Sequence, residues 1–278
     1  MAEVERELER VVDLTVLFTQ HHGHATELAR DASGGEYEAV LVFSGDGVYN
    51  EVLNGLDGDV PLGFLPGGGT SVLSRALGYP VDAIVAAGNL ADAIAGSRTR
   101  RISLGRVNGR RFAFSAGLGL DAEVVRRVDQ LGRSRDGKRP GDLAFAVAVM
   151  RVIGSNYGHI EPSLEVKGLG RAAFAFVANG APYTYARRIP LQLAPEADFE
   201  LGLDLVAPVR VRRRSLVRTA YSLLSGHPHR AQVLYAHDAD RIEIVCDAPT
   251  ALQADGEDLG DVEEAVFEAE RSAVSVFA

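Results

Sequence analysis

The sequence predicts an α/β protein: an N-terminal, Rossmann-like parallel sheet with helices on its faces, then a C-terminal antiparallel β-sandwich. Three patterns carry that expectation. Two apolar runs, Ala39-Val40-Leu41-Val42-Phe43 and Leu62-Gly63-Phe64-Leu65, lack polar alternation, as do strands buried on both faces of a parallel sheet. Each leads into a glycine-containing loop and then into helically spaced apolar residues, the βα unit of such a sheet. Beyond Gly96 the pattern changes to short strands, several of them alternating, separated by turn residues, which suits mostly antiparallel layers. The boundary is expected near Gly105, giving domains at 1–105 and 106–278, with the C-terminal tail able to return to the first.

Taken in order, Glu3 to Val12 reads as a charged helix and Leu14 to Thr19 as a strand. His21, His22 and His24 crowd the end of that strand, before a helix from Ala25 to Ala32. Three histidines invite a zinc site, but no Cys, Asp or Glu stands among them at ligand spacing. An exposed polar loop is the reading, and metal ligands stay unassigned.

The octapeptide Ser44-Gly45-Asp46-Gly47-Val48-Tyr49-Asn50-Glu51 follows the first apolar run. Open α/β sheets bind ligands outside the carboxyl ends of their strands. Gly45 and Gly47 let backbone amides approach an anion, and the helix that follows adds partial positive charge. Asp46 is out of place in a phosphate cradle unless it handles a metal ion or a proton. The competing reading is a plain strand-to-helix turn, since Gly and Asp are ordinary turn residues.

The second loop, Pro66-Gly67-Gly68-Gly69-Thr70-Ser71, precedes the helix-like Val72 to Leu77, closed by Gly78 and Pro80. Thr70 or Ser71 is the expected N-cap, and the glycines leave room for a backbone nest around phosphate oxygens. No Gly-Lys-Ser/Thr follows, so this is not a Walker A loop. A helix from Val81 to Ala95 completes the alternation.

Composition narrows the class. A chain of 278 residues with 46% hydrophobic content can build one large or two ordinary domains with a real core. A net charge of −9 and a pI near 5.3 argue against general nucleic-acid binding. One cysteine, Cys246, rules out an intramolecular disulfide and points to a reducing cytoplasm. Met1 to Arg10 is no signal peptide, and the apolar stretch Leu143 to Met150 is too short to span a bilayer. A cytoplasmic protein that meets the membrane only peripherally is expected.

In the second half Arg100 to Val107, Arg111 to Ser115, Arg171 to Val177, Gly202 to Val206, Arg241 to Cys246, Ala251 to Ala254, Ala265 to Glu268 and Ala273 to Phe277 read as strands. Helical insertions are expected at Gly141 to Asn156 and Ser215 to Ser225. Two basic clusters stand out: Arg126, Arg127, Arg133, Arg135, Lys138 and Arg139, and then Arg210, Arg212, Arg213, Arg214 and Arg218. Solvated faces are the ordinary explanation. Attraction to anionic headgroups, at about 1 kcal/mol per residue, is the alternative. Gln253-Ala254-Asp255-Gly256-Glu257-Asp258 reads first as a hairpin turn. Its second reading is a carboxylate pair, Asp255 and Glu257, projecting into an interdomain cleft to accept a proton from an attacking hydroxyl.

In their order, Ser44-Gly45-Asp46-Gly47-x-x-Asn50-Glu51-Val52, then Pro66-Gly67-Gly68-Gly69-Thr70 with Arg75-Ala76-Leu77-Gly78, then Asp255-Gly256-Glu257, these residues resemble the diacylglycerol kinase catalytic-domain family. That family includes bacterial lipid kinases, sphingosine kinases and ceramide kinases. Gly23 to Ala29, Ser115 to Ala122 and the segment around Ala194-Pro195 extend the likeness along nearly the whole chain. The glycine-aspartate motif alone also occurs in NAD kinases and phosphofructokinases; three motifs in order are more specific.

The resemblance implies an α/β nucleotide domain joined to a β-sandwich lipid domain, with ATP and a lipid hydroxyl meeting in the cleft between them. By position it implies that Thr19, Gly45, Asp46, Gly47, Val48, Tyr49, Asn50, Glu51, Gly68, Gly69 and Thr70 line the nucleotide. Asp46 would organise Mg²⁺ and phosphates through water, and Asp255 and Glu257 would supply the base, Glu257 foremost. The implied reaction is phosphoryl transfer to the primary hydroxyl of a diacylglycerol-like or sphingoid lipid at a membrane surface, which Arg126, Arg127, Arg212 and Arg213 would face.

The sequence departs from the pattern in four places. Nothing matches the family's first strand and its Asn-Pro-x-Ser/Gly-Gly loop, so the chain is expected to start at the helix after that loop. Val48 stands where many bacterial members have Thr, and Ser71 where Asn is usual. Leu201-Gly202 falls where bacterial members often carry the Asp-Gly of a structural Mg²⁺ site, so no metal ligand is transferred. A catalytically impaired lipid- or nucleotide-binding relative is therefore the runner-up, and an NAD-kinase-like enzyme the third reading.

Overall fold

The computed structural model describes residues 1–35, 37–130, 160–182, 184–186, 189–191, 193–212 and 233–278. The expected helical insertions at Gly141 to Asn156 and Ser215 to Ser225 lie outside them. The chain divides into two compact units: Met1–Leu104 with Arg271–Ala278, and Gly105–Glu270.

In the first unit, β1 (Val40–Ser44) and β2 (Leu62–Pro66) pair in parallel, in register from Val40↔Leu62 to Ser44↔Pro66. On the other side of β2 the end of β14 (Glu257–Phe277) adds a parallel contact, Val276↔Leu62. Every residue of β2 is buried, which its unalternating apolar run requires.

Helices cover the sheet. The first, α1 (Ala2–Leu8), buries Val4 and Leu8, four residues apart on one face, and packs against α5 (Ala83–Ala95). Asp82 starts α5 by accepting the amides of Ile84 at 2.9 Å and Val85 at 3.1 Å. Next to β1, α2 (His24–Ala32) and α3 (Asp46–Gly55) lie against each other. Their approach is close: a Cβ on Gly55 would come within 2.1 Å of the Thr26 carbonyl oxygen.

One expected strand is missing. Leu14 to Thr19 has no regular structure, and Val16, Leu17 and Phe18 are exposed. The segment has strand composition, but among the described residues it has no partner strand, and β-structure exists only through its ladder.

The second unit is antiparallel. The end of β3 (Thr99–Val107) turns through Asn108-Gly109 into β4 (Arg110–Phe112). Strands β5 (Ser115–Leu118), β8 (Ala175–Ala178), β11 (Leu203–Pro208) and β12 (Val233–Ala239) follow one another across the sheet. β13 (Arg241–Ala254) pairs with β5, with β14 and with β6 (Leu164–Val166), which in turn pairs with β7 (Gly170–Ala172). A separate hairpin joins β9 (Thr184–Ala186) to β10 (Ile189–Leu191). Phe112, Leu118, Val177, Leu205, Ile244 and Phe267 form the heart of the core.

Two corrections follow. The strands expected at Arg241 to Cys246 and Ala251 to Ala254 are one strand, β13, because the register shift between Val245 and Thr250 carries it past the turn-forming Asp247-Ala248-Pro249. Likewise the two expected segments after Glu257 are one strand, β14. A helix not expected from the sequence, α6 (Leu120–Gln130), buries Ala122, Val124, Val125 and Val128.

Candidate active site

Because β1 and β2 are parallel and in register, they release the chain side by side at Ser44 and Pro66. The two loops that follow touch. A Cβ on Gly68 would lie 2.7 Å from the Gly45 Cα; real Cβ atoms do not approach backbone that closely, so this contact requires glycine, and a Cβ on Gly67 would be tight at 3.0 Å from the Ser44 Cα. The Gly67 amide donates to the Ser44 carbonyl at 2.8 Å, and Gly67, Gly68, Gly69 and Thr70 are exposed. At the same contact α3 begins, with Gly45 as its N-cap and no side chain capping it. The first-turn amides of a helix have no intrahelical partner and carry the positive end of its dipole. Two glycine loops and an uncapped helix start thus lie together at the carboxyl ends of adjacent strands, where an anion is best received.

The carboxylate of Asp46 has a defined task. Its Oδ2 accepts the Val72 amide and its Oδ1 the Leu73 amide, both at 3.0 Å. It therefore caps α4 (Val72–Ala76) from another loop. Ser71 is the N-cap, one of the two residues expected there, at a φ of 46°, but its own side chain makes no cap bond. Its hydroxyl is turned to Gly68 instead, accepting that amide at 3.1 Å and donating to that carbonyl at 3.3 Å.

The next three residues of the motif face inward. Tyr49 is buried, its hydroxyl donates to the Leu65 carbonyl, and its ring stands edge-on to Phe64 at 5.0 Å. Burial, reinforced by the Asp46 charge, raises the Tyr49 hydroxyl well above its ordinary pKa. Asn50 is buried and receives the Asn54 side-chain amide on its backbone carbonyl at 2.9 Å. Glu51 is also buried; it pairs with His22 Nδ1 at 2.8 Å and accepts the Ala25 amide at 3.2 Å. These side chains fix the base of the loop, and Val48 is half-buried beside them. Thr19 is exposed and lies in the segment without regular structure.

In the second unit, the turn between β13 and β14 has φ of 48° at Asp255 and 79° at Gly256, with Ala254 opposite Glu257. Two successive positive φ values make the two-residue hairpin that Asp-Gly favours. The Asp255 carboxylate accepts three consecutive amides, Ala113 at 2.6 Å, Phe114 at 2.9 Å and Ser115 at 3.2 Å. Gln253, 1% exposed, steadies the turn by accepting the Gly256 amide at 2.8 Å and donating to Asp121. Glu257 pairs with Arg110. The sequence reading missed Arg110, Gln253 and Asp121. For Arg110 a signal existed: Asn108-Gly109 before it, at φ of 47° and 89°, is itself a hairpin dipeptide.

The basic residues divide. Arg126 binds Asp258 and Asp261, each at 2.7 Å, and those hydrogen bonds raise its guanidinium pKa further. Its charge is thus paired within the chain. Arg127 is half-buried, Arg212 is exposed, and Arg213 lies outside the described residues.

Adjacent parallel strands bearing paired glycine loops, continued in the chain by an antiparallel unit with a carboxylate-anchored hairpin, define a two-unit α/β protein whose first unit is built to receive an anion. The chain belongs to the diacylglycerol kinase catalytic-domain family. Residues 1–107 match the diacylglycerol kinase catalytic domain, and residues 115–278 match the YegS C-terminal NAD kinase beta sandwich-like domain. Over 240 residues the chain is 29% identical to the diacylglycerol kinase of Bacillus subtilis, a match covering 84% of this chain and 76% of that protein. It is 35% identical over 79 residues to human sphingosine kinase 1, covering 26% of this chain and 21% of that protein. A crystal structure of a diacylglycerol kinase from Bacillus anthracis superposes with a TM-score of 0.73 at 21% identity, over 99% of this chain and 90% of that one, and shows the same fold. Among the described residues no helix is long and apolar enough to cross a membrane.

Proposed function

We propose that this chain is an ATP- and Mg²⁺-dependent lipid kinase that phosphorylates a primary hydroxyl of a diacylglycerol-like or sphingoid lipid. The observation that carries the proposal is the Gly45–Gly68 contact, which leaves a side-chain-free, amide-rich surface at the ends of β1 and β2. A triphosphate fits that surface, and the capped Asp46 fits a cation held through water. When bound, Mg²⁺·ATP supplies the transferred phosphoryl group and the neutralisation of its charge.

The chain's own residues do the rest. Gly45, Gly47, Gly68, Gly69 and Thr70 position phosphates through the backbone, and Asp46 fixes the second loop relative to the first. Glu257, held by Arg110, takes the proton of the acceptor hydroxyl as its oxygen forms the new P–O bond and ADP leaves. Asp255 holds the turn that presents Glu257. The names of the relatives, diacylglycerol kinase and sphingosine kinase, support a lipid acceptor. Partnership is with a membrane surface, met peripherally.

The test is purified protein with radiolabelled ATP and mixed-lipid vesicles, read by lipid chromatography. Label in a lipid monophosphate is the expected result. Label in NAD with none in lipid, or no transfer at all alongside calorimetric silence toward Mg²⁺·ATP, overturns it.

A further inference from the structure

His21, His24 and Glu27 converge where α2 begins: one ligand atom from each lies within 4.8 Å of the others. The geometry has a local cause. Gly23, left-handed at a φ of 85°, turns the chain so that the His24 amide reaches the His21 carbonyl at 3.3 Å. His21 is thereby folded over His24, their rings stacked at 4.8 Å and 21°. Glu27 follows His24 by three residues, one helical turn along the same face.

The hydrogen bonds distinguish the ring nitrogens. His21 Nδ1 lies 3.0 Å from the His22 carbonyl, which can only accept, so Nδ1 donates there and Nε2 is the nitrogen that would ligate. The Gln20 amide, which can only donate, meets His24 Nδ1 at 3.0 Å, so His24 presents its lone pair there. The turn is also braced on α3. His22 binds Glu51 at 2.8 Å, the Ala25 amide binds the same carboxylate at 3.2 Å, and the Thr26 hydroxyl donates to the Glu51 carbonyl at 2.9 Å. His21 and Glu27 are exposed and His24 is half-buried, so an ion and its waters can reach them.

We propose that His21, His24 and Glu27 form a site for a borderline divalent transition ion, Zn²⁺ above all, with a further position open to water. Two neutral imidazoles and one carboxylate are a ligand set that Zn²⁺ accepts and that Mg²⁺ and Ca²⁺, which take oxygen, do not. The site is therefore distinct from any cation that accompanies a nucleotide. Closing on an ion at about 2.0–2.2 Å draws the three ligand atoms closer together, and His24 exchanges its contact with the Gln20 amide for the metal. The carboxylate missing from the reading of the three histidines is Glu27, which only the helical turn brings to them.

The experiment uses the untagged chain, stripped with chelator and titrated with Co²⁺, followed by its visible d–d absorption and then displaced with Zn²⁺. One Co²⁺ per chain, displaced by one Zn²⁺, is expected. His21→Ala and Glu27→Gln should each weaken binding by more than about tenfold, the smallest loss typical when even an outer partner of a metal ligand is removed. Metal-free circular dichroism of each variant checks folding, and the conservative Glu27→Gln preserves the test if a histidine variant misfolds. The absence of d–d bands at excess Co²⁺ overturns the proposal. So does unchanged binding in Glu27→Gln and in a folded His21→Ala/His24→Ala variant, because the ion would then sit elsewhere.

Discussion

Asp46 joins an observed structural task to the chemical one proposed for it. Its carboxylate caps α4 through the Val72 and Leu73 amides, so removing it costs stability before any effect on substrate is considered. Asp46→Ala should lower unfolding free energy by about 0.5–2 kcal/mol, the usual value of a cap, and abolish phosphoryl transfer. Asp46→Asn keeps one acceptor oxygen; it should recover much of the stability, measured by denaturant titration, but little of the turnover. Recovery of both would remove any role for the charge. Gly68 makes a sharper test of the loop contact. A methyl group there meets the Gly45 Cα at 2.7 Å, a backbone atom that cannot rotate away. Gly68→Ala should therefore separate the loops and raise the ATP concentration needed for half-maximal rate, while Gly69→Ala, with nothing within 4 Å, should leave the melting temperature unchanged. Equal effects on melting from the two substitutions would show that the contact is not tight.

At the scale of elements, the β13–β14 hairpin separates its two carboxylates by task. Asp255 satisfies three amides, of Ala113, Phe114 and Ser115, and all three residues are buried. Each amide left without an acceptor costs about 1–3 kcal/mol, so Asp255→Ala should destabilise the second unit by several kcal/mol. Asp255→Asn, which keeps an acceptor and tolerates the positive φ, should cost less. Glu257→Gln removes a partly exposed ion pair with Arg110 and should change stability by less than about 1 kcal/mol, yet remove most of the activity. Full turnover in that variant would exclude Glu257 as the base. The hairpin was legible because Asp-Gly is a local signal. The anchoring of Asp255 was not, because its partners are brought in by the pairing of β5 with β13. The same distinction explains the two glycine loops: their existence is local, but the capping of α4 by Asp46 depends on β1 and β2 lying in register.

For the molecule as a whole, the sequence read well where periodicity decides the outcome and poorly where a partner does. The buried β2 and the antiparallel second half followed from apolar patterning, and so did α2, α3 and α5. Leu14 to Thr19 did not become a strand because a β-pattern without a neighbour has no ladder to join. α6 was missed because its β-branched Val124, Val125 and Val128 hide a helical spacing that becomes decisive only once they are buried. Charge follows the same logic and leads to a test. The chain carries a net −9, but its carboxylates do not respond alike to acid. The Arg126 hydrogen bonds hold Asp258 below the usual carboxylate range. Burial alone would raise Glu270, but Arg111 and Arg106 outweigh it and hold that carboxyl low as well. A depressed folded pKa contributes stability that is fully present above the unfolded value, about 4, and is lost as pH falls through the folded value. Asp204 has the opposite sign. Burial raises it despite the Asp238 amide and His237, so its contribution is present at low pH and lost as pH rises through its folded value. A melting-temperature profile against pH should therefore fall on the acid side, and Glu270→Gln and Asp258→Asn should each flatten that limb. Asp204→Asn should leave the acid limb standing and reduce the loss on its upper side. A profile whose acid limb is unchanged in the Glu270→Gln/Asp258→Asn double variant would mean that these arginine pairs are as strong in the unfolded chain as in the fold, and their low pKa values would then carry no stability at all.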